Sequence, residues 1–228
     1  MATLPEGEEK RRQVEDMFDR VAPRYDRMNR IISLGLDRGW RTRTVTELGL
    51  PAGSVVLDLA CGTGDLSDDV VGAGLRAVGV DSSAGMLDSA HTRAPLVRGD
   101  ALQLPFADGC FDGVVCGFAL RNFVELTAVF GEAARVLRRG GRFAALDATV
   151  PTNPLLRVGN AIWFRGAVPL LGRVLAHDPG AYSYLPRSTA YVPAAPVLAD
   201  AIEEAGFEDA RHFTLTGGSV LVVSATRS

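Results

Sequence analysis

Lysine is almost absent from this chain: Lys10 is the only one among 24 basic residues. The arginines in its place are scattered, and the net charge is −3. Such a surface does not suit a phosphate backbone, so nucleic-acid binding is excluded. Cysteine is scarce too. Cys61, Cys110 and Cys116 are odd in number and match no metal-ligand spacing, which argues against a disulfide framework and a zinc site. Reduced thiols suit the cytoplasm. Residues 1–18 are polar and charged, without the apolar run of a secretory signal. Uncharged hydrophobic runs are also missing. The longest candidate, Leu155–Ala176, carries Arg157, Arg165 and Arg173 and is broken by Pro169. An arginine near a bilayer centre costs about 2.5–3.5 kcal/mol. Arginines eight residues apart fall within about half of a helix circumference. The segment therefore reads as an amphipathic surface element rather than a span.

What is present suits one α/β domain. The 228 residues, 47% of them hydrophobic, are enough for one sizeable core with decorations. Residues 8–50 read as helical. Phe18, Val21, Tyr25, Met28, Ile32 and Leu36 recur at helical spacing, interrupted at Pro23. Then short β-rich runs alternate with helical stretches. Strands are predicted at 54–59, 75–80, 95–98, 111–117 and 142–150, with helices at 66–71, 84–90 and 124–137. Gly140-Gly141 reads as the C-cap of the last helix. This alternation predicts βαβ units and a mainly parallel sheet. Residues 151–193 break the rhythm and read as an inserted cap. A helix at 196–205 and strands at 207–215 and 219–225 follow. Only the Gly217-Gly218 turn separates those strands, so they should form an antiparallel hairpin. The expected architecture is a doubly wound, seven-stranded sheet with an antiparallel ending. Residues 8–50 would form its lid, 54–150 its core and 194–228 its closing helix and hairpin.

Three features lie at the ends of successive strands, where α/β sheets bind ligands. Val56–Ser67 reads VLDLACGTGDLS, placing Asp58 in the first strand before Cys61, Gly62, Thr63 and Gly64. Glycines in such a turn let the backbone approach a ligand closely. Asp81, followed by Ser82, ends the second strand nineteen residues after Gly62, where an acid can grip ribose hydroxyls. Asp100 follows the third strand and suits an adenine amino group, with Ala101 and Leu102 lining the ring. A nicotinamide-binding loop would carry a third glycine for close packing around a pyrophosphate, but Leu66-Ser67 stand there. S-adenosyl-L-methionine has no pyrophosphate, and it is the cofactor that these residues predict.

Beyond the loop, the chain resembles the ubiquinone/menaquinone biosynthesis C-methyltransferases, a family of class I S-adenosylmethionine-dependent methyltransferases. The resemblance is carried by MFDRVAPRYDRMNRIISLGLDRGWR at Met17–Arg41, GFALRNF at Gly117–Phe123, RVLRRGGRF at Arg135–Phe143 and AYSYLPRSTAYVP at Ala181–Pro193. It extends from about residue 12 to 226. The chain departs from the family pattern at Ala119, where glycine is usual, and at Gly117, where a small polar residue is usual. Leu146-Asp147-Ala148 stands where Leu-Glu-Phe is commoner.

The resemblance implies C-methylation of a prenylated hydroquinone, with demethylmenaquinol the expected acceptor, and it places Arg121 at the quinone ring. A phenol ionises near pH 10, so the protein must stabilise the phenolate or position a base. Arg121 would act by charge, and Asn122 would hold the other ring oxygen. The bland alternative for Arg121 is capping or an ion pair with an acid such as Glu125. Tyr25, Asp26 and Asn29 are expected on the helix covering the cofactor, with Tyr25 and Asn29 on one face. His177-Asp178 reads as a surface turn. Tyr182, Tyr184 and Leu185 suit either substrate contact or cap packing. A lipophilic acceptor needs an apolar groove or a membrane edge, which Leu155–Ala176 can supply, so peripheral contact with the inner face of a membrane is expected. A homodimer is compatible with the sequence. Three other readings stay open: methylation of another aromatic or lipophilic molecule, a nicotinamide oxidoreductase, and a non-catalytic cofactor-binding scaffold of a quinone-synthesis complex.

Overall fold

The computed structural model describes residues 7–163, 166 and 188–228. The leading helical region divides into α1 (Gly7–Val21), a 3-10 turn at Ala22–Arg24, α2 (Tyr25–Ile32) and α3 (Asp37–Glu47). Pro23 breaks the helix where its fixed ring and missing donor predict. Val21, Met28 and Ile32 are buried, but Leu36 is 48% exposed. The predicted stripe ends early because the turn after Ile32 passes through left-handed backbone at Leu34 and Gly35, which resets the helical phase.

The strands are β1 (Val55–Leu59), β2 (Arg76–Asp81), β3 (Leu96–Arg98), β4 (Phe111–Gly117), β5 (Leu137–Ala148), β6 (Phe207–Leu215) and β7 (Val220–Arg227). They form one sheet in the order β3-β2-β1-β4-β5-β7-β6. The first five are parallel, and β7 runs antiparallel to both β5 and β6. The helices α4 (Asp65–Gly72), α5 (Ala84–Asp88), α6 (Leu126–Val136), α7 (Pro154–Ile162) and α8 (Ala195–Glu204) fill the connections. Alternate strand residues feed two cores. Leu57, Val114 and Phe143 pack with α6 and α8, whereas Val56, Val115 and Ala144 pack with α3 and α4. Burial on both faces explains the continuous apolar character of these strands. The order reverses at β1, which lies between β2 and β4, and that switch point opens a crevice at the strand ends.

Gly140-Gly141 does not cap α6. That helix ends at Val136 and the chain turns directly into β5, where Leu137 pairs with Phe111. The pairing then jumps to Gly113 with Arg142, and Gly140 (φ 73°) serves the excursion between them. Glycine supplies the same left-handed freedom to a bulge as to a helix end, so the local signal was read correctly but assigned to the wrong device. Of the amphipathic candidate Leu155–Ala176, the described part is α7 and Trp163. No α7 residue is buried, and Leu155, Val158 and Ile162 are strongly exposed. Among the described residues, no helix is long and apolar enough to cross a membrane. Arg165, Arg173, Pro169, His177-Asp178, Tyr182, Tyr184 and Leu185 lie outside the described residues.

Candidate active site

At the carboxyl end of β1 the chain turns through left-handed conformations at Ala60, Gly62 and Gly64 before entering α4. An added Cβ at Gly62 would point into open space, leaving the backbone free to face a ligand. At Gly64 it would strike the Thr92 side chain at 2.4 Å. Gly64 therefore serves helix entry. The Cys61 sulfur packs where Gly79 lacks a side chain, 2.8 Å from an ideal Cβ there. Burial pushes its thiol well up, so it stays protonated and unreactive.

Asp81 organises this turn. One carboxylate oxygen accepts the Gly62 N–H at 2.8 Å and the other accepts the Ser83 N–H at 2.9 Å. Asp58 is almost wholly buried. Its Oδ2 accepts the Ser67 hydroxyl at 2.6 Å, while Oδ1 has no partner. Desolvation raises its carboxyl to about 7, with the nearby Asp81 charge adding to the rise. Asp100 accepts the Leu102 N–H at 3.0 Å and the Arg11 guanidinium at 2.7 Å, so α1 reaches over the third strand end. Two further ties hold the helical region to the crevice. Asp19 accepts from the Ser83 hydroxyl and the Gly85 N–H, and Asp26 accepts from the Thr63 hydroxyl.

Two cavities, of about 130 and 230 Å³, meet here and share Tyr25, Ala60, Gly62, Gly117 and Phe118 as walls. The smaller is also lined by Asp81, Ser82, Asp100, Ala101 and Asn122. The larger is lined by Asp58, Cys61, Thr63 and Arg121, with Asn29, Trp40 and Trp163 on its far side. The described residues that the sequence assigned to cofactor or acceptor therefore border one cavity or both, except Gly64 and Asp26. Gly117 can have no larger side chain without crowding, since a Cβ there would lie 3.1 Å from Leu66. Tyr25 hydrogen-bonds with Asn29, and burial raises its hydroxyl above the ordinary value, which keeps it a neutral phenol.

Arg121 is buried in the middle of a 3-10 turn (Leu120–Asn122) that follows β4. Its partner is Asp147 rather than Glu125. The Asp147 carboxylate takes an ion pair from the Arg121 guanidinium and, at 2.9 Å, a hydrogen bond from the Arg121 N–H. Arg121 Nε is buried without a partner. The ion pair and the cavity wall are compatible roles, because a guanidinium has five donors in a fork. Sequence reasoning missed Asp147 as the anchor. The available signal was the carboxylate at the end of β5, in register beside the end of β4, where Gly117 pairs with Leu146. It also missed Arg11, Trp40 and Phe118, whose placement depends on elements distant in the chain.

The model of the ubiE/COQ5 methyltransferase family matches residues 6–227. A demethylmenaquinone methyltransferase of Roseiflexus castenholzii is 45% identical over 217 residues, covering 92% of this chain and 91% of that protein. The enzyme of the same description from Mycolicibacterium vanbaalenii is 42% identical, covering 95% of each chain. Among solved structures, a possible histamine N-methyltransferase from Thermotoga maritima superposes with a TM-score of 0.64 at 19% identity, covering 93% of this chain and 99% of that one. Phosphoethanolamine N-methyltransferase 2 of Haemonchus contortus, in complex with S-adenosyl-L-methionine, gives 0.61 at 14% identity over 83% of this chain and 52% of that one. At those identities the likeness is one of fold. The sequence matches go further: this chain is a methyltransferase and belongs to the ubiE/COQ5 methyltransferase family.

Proposed function

We propose that this protein methylates a ring carbon of demethylmenaquinol, using S-adenosyl-L-methionine and releasing the ring proton, to give menaquinol. The junction of two cavities at Gly62, Gly117 and Tyr25 carries this reading, because it allows two ligands to meet at one point. Bound S-adenosylmethionine supplies an electrophilic sulfonium methyl group. The residues present fit it. Asp81 accepts from the ribose hydroxyls and Asp100 from the adenine amino group, beside Ser82 and Ala101. Gly62 gives close backbone approach, and the unpartnered, buried Asp58 oxygen suits a cationic amino group. Cys61, Thr63, Gly64 and Gly117 shape the loop and the junction.

Holding donor and acceptor in register contributes up to about 7–11 kcal/mol to such a reaction. Arg121 stabilises the phenolate form of the acceptor by charge, with Asn122 and Tyr25 holding ring oxygens. Its anchoring by Asp147 supports this role, since a preorganised cation needs no reorientation as charge develops. The prenyl tail leaves the larger cavity past Trp163, along the exposed apolar face of α7, which rests on a lipid surface at the inner face of the membrane. The test is transfer of labelled methyl from S-adenosylmethionine to reduced demethylmenaquinone. Label in the naphthoquinone product is expected. Cofactor binding without transfer would overturn the assignment of acceptor and reaction.

A further inference from the structure

Five non-glycine residues among those described have left-handed backbone: Leu34, Ala60, Phe118, Asp209 and Thr216. Such conformations are unfavourable for bulky or β-branched side chains and persist only where the surroundings impose them. Four of the five line the larger cavity, and only Asp209 does not. They come from four separate places: the α2–α3 turn, the end of β1, the end of β4 and the β6–β7 turn. Strain from such distant segments converging on one cavity marks a wall whose shape matters.

Two of these residues converge on Trp40. Thr216 Oγ1 accepts the indole N–H at 2.8 Å, and the Phe118 ring meets the indole edge-on at 6.3 Å between centroids. The other tryptophan of the chain, Trp163, lines the same cavity, and its N–H is donated to the Ile32 carbonyl at 3.0 Å. Both tryptophans of the protein thus border one cavity, and neither indole has a donor left for a ligand. The polar groups Tyr25, Asn29 and Arg121 belong to the same cavity.

We infer that Trp40, held by Thr216 and Phe118, is a specificity-determining residue for the acceptor ring. It selects a fused bicyclic quinol, with oxygens on one ring and hydrocarbon on the other, over a monocyclic quinol with polar substituents all round. This deepens the proposed quinol methylation and rests on it. The oxygen-bearing ring takes the polar groups. The second ring stacks on tied-off indoles, whose N–H groups are already donated and offer a methoxy or hydroxyl oxygen no hydrogen bond in return for its lost water. The left-handed turn at Thr216 is the device that holds the N–H away from the cavity.

The experiment measures affinity of the cofactor-free protein for 1-naphthol and for phenol by calorimetry, in the wild type and in Trp40→Ala, Trp40→Phe and Thr216→Val. Wild type should prefer the bicyclic ligand by at least tenfold. Trp40→Ala should remove most of that preference, and Trp40→Phe should keep part of it. Thr216→Val frees the indole N–H without changing the side-chain shape, and it should shift the ratio toward phenol while S-adenosylmethionine affinity stays unchanged. A wild type without preference, or variants that weaken both ligands equally, overturns the inference. Labelled methyl transfer to demethylmenaquinol separates the two readings. Transfer without ring preference removes only the role of Trp40; ring preference without transfer overturns the proposed function, and with it the role of Trp40 in choosing that acceptor.

Discussion

Asp58 sits in the centre of the sheet, almost fully buried, with one oxygen on Ser67 and the other unpartnered. Its carboxyl is raised from 3.8 to about 7 by burial. Between those values the folded protein keeps a proton that the unfolded chain releases, so stability is fully present below about pH 4 and is lost as pH rises through 7. Asp58→Asn should flatten that decline while keeping the Ser67 hydrogen bond, as thermal melts from pH 4 to 8 will show. A cationic ligand should drive the proton off, so calorimetry of S-adenosylmethionine binding near pH 7 in two buffers should reveal proton release. No release would falsify the pairing of Asp58 with the ligand's charge. Arg121 poses a second residue-scale question. Arg121→Met leaves Asp147 buried and unpaired, which costs about 3–5 kcal/mol. Adding Asp147→Asn should restore much of the stability in denaturant titrations but none of the turnover. Recovery of turnover in the double variant would show that Arg121 only supports the fold.

At the scale of elements, α1 closes over the smaller cavity through polar ties beside the apolar packing of Phe18 and Val21 on Met86. Arg11 meets Asp100, and Asp19 meets Ser83 and Gly85. Gly85 must lack a side chain, because a Cβ would come within 2.9 Å of the Asp19 Cα. That neighbour is backbone and cannot rotate aside. Gly85→Ala should therefore lift α1, raise hydrogen exchange across residues 7–21 and speed cofactor dissociation, with the sheet amides unaffected. Equal protection of residues 7–21 in both proteins would refute this coupling. The strands and most helices were legible from periodicity alone, since β1 through β5 alternate with amphipathic stretches. Gly140-Gly141 was not, because a glycine pair states only that the backbone turns left-handed. The neighbouring strand decides whether that turn is a cap or a bulge.

For the molecule as a whole, α7 exposes Leu155 at 84% and Val158 at 60%, near the mouth of the larger cavity. Leu155→Glu with Val158→Glu should lower binding to anionic lipid vesicles several-fold. Methyl transfer to a tail-less naphthol should be unchanged, because neither residue lines the cavity. Unchanged vesicle binding, measured by co-sedimentation, would rule out α7 as the lipid contact.

The sequence by itself determined the alternation of strands and helices, the closing hairpin and the glycine-bearing turn after β1. These rest on spacing within one segment: glycines in a turn, an acid at a strand end, an apolar period of two or three and a half residues. Only the tertiary structure decided what faces what. Parallel pairing brought Asp147 beside Arg121, and the hairpin turn brought Thr216 to Trp40. The Arg11 partner of Asp100 likewise comes from the leading helix α1, 89 residues away in the chain. Chain periodicity records a residue's own face. Its partners depend on the register between segments, which becomes definite only when the whole core has packed.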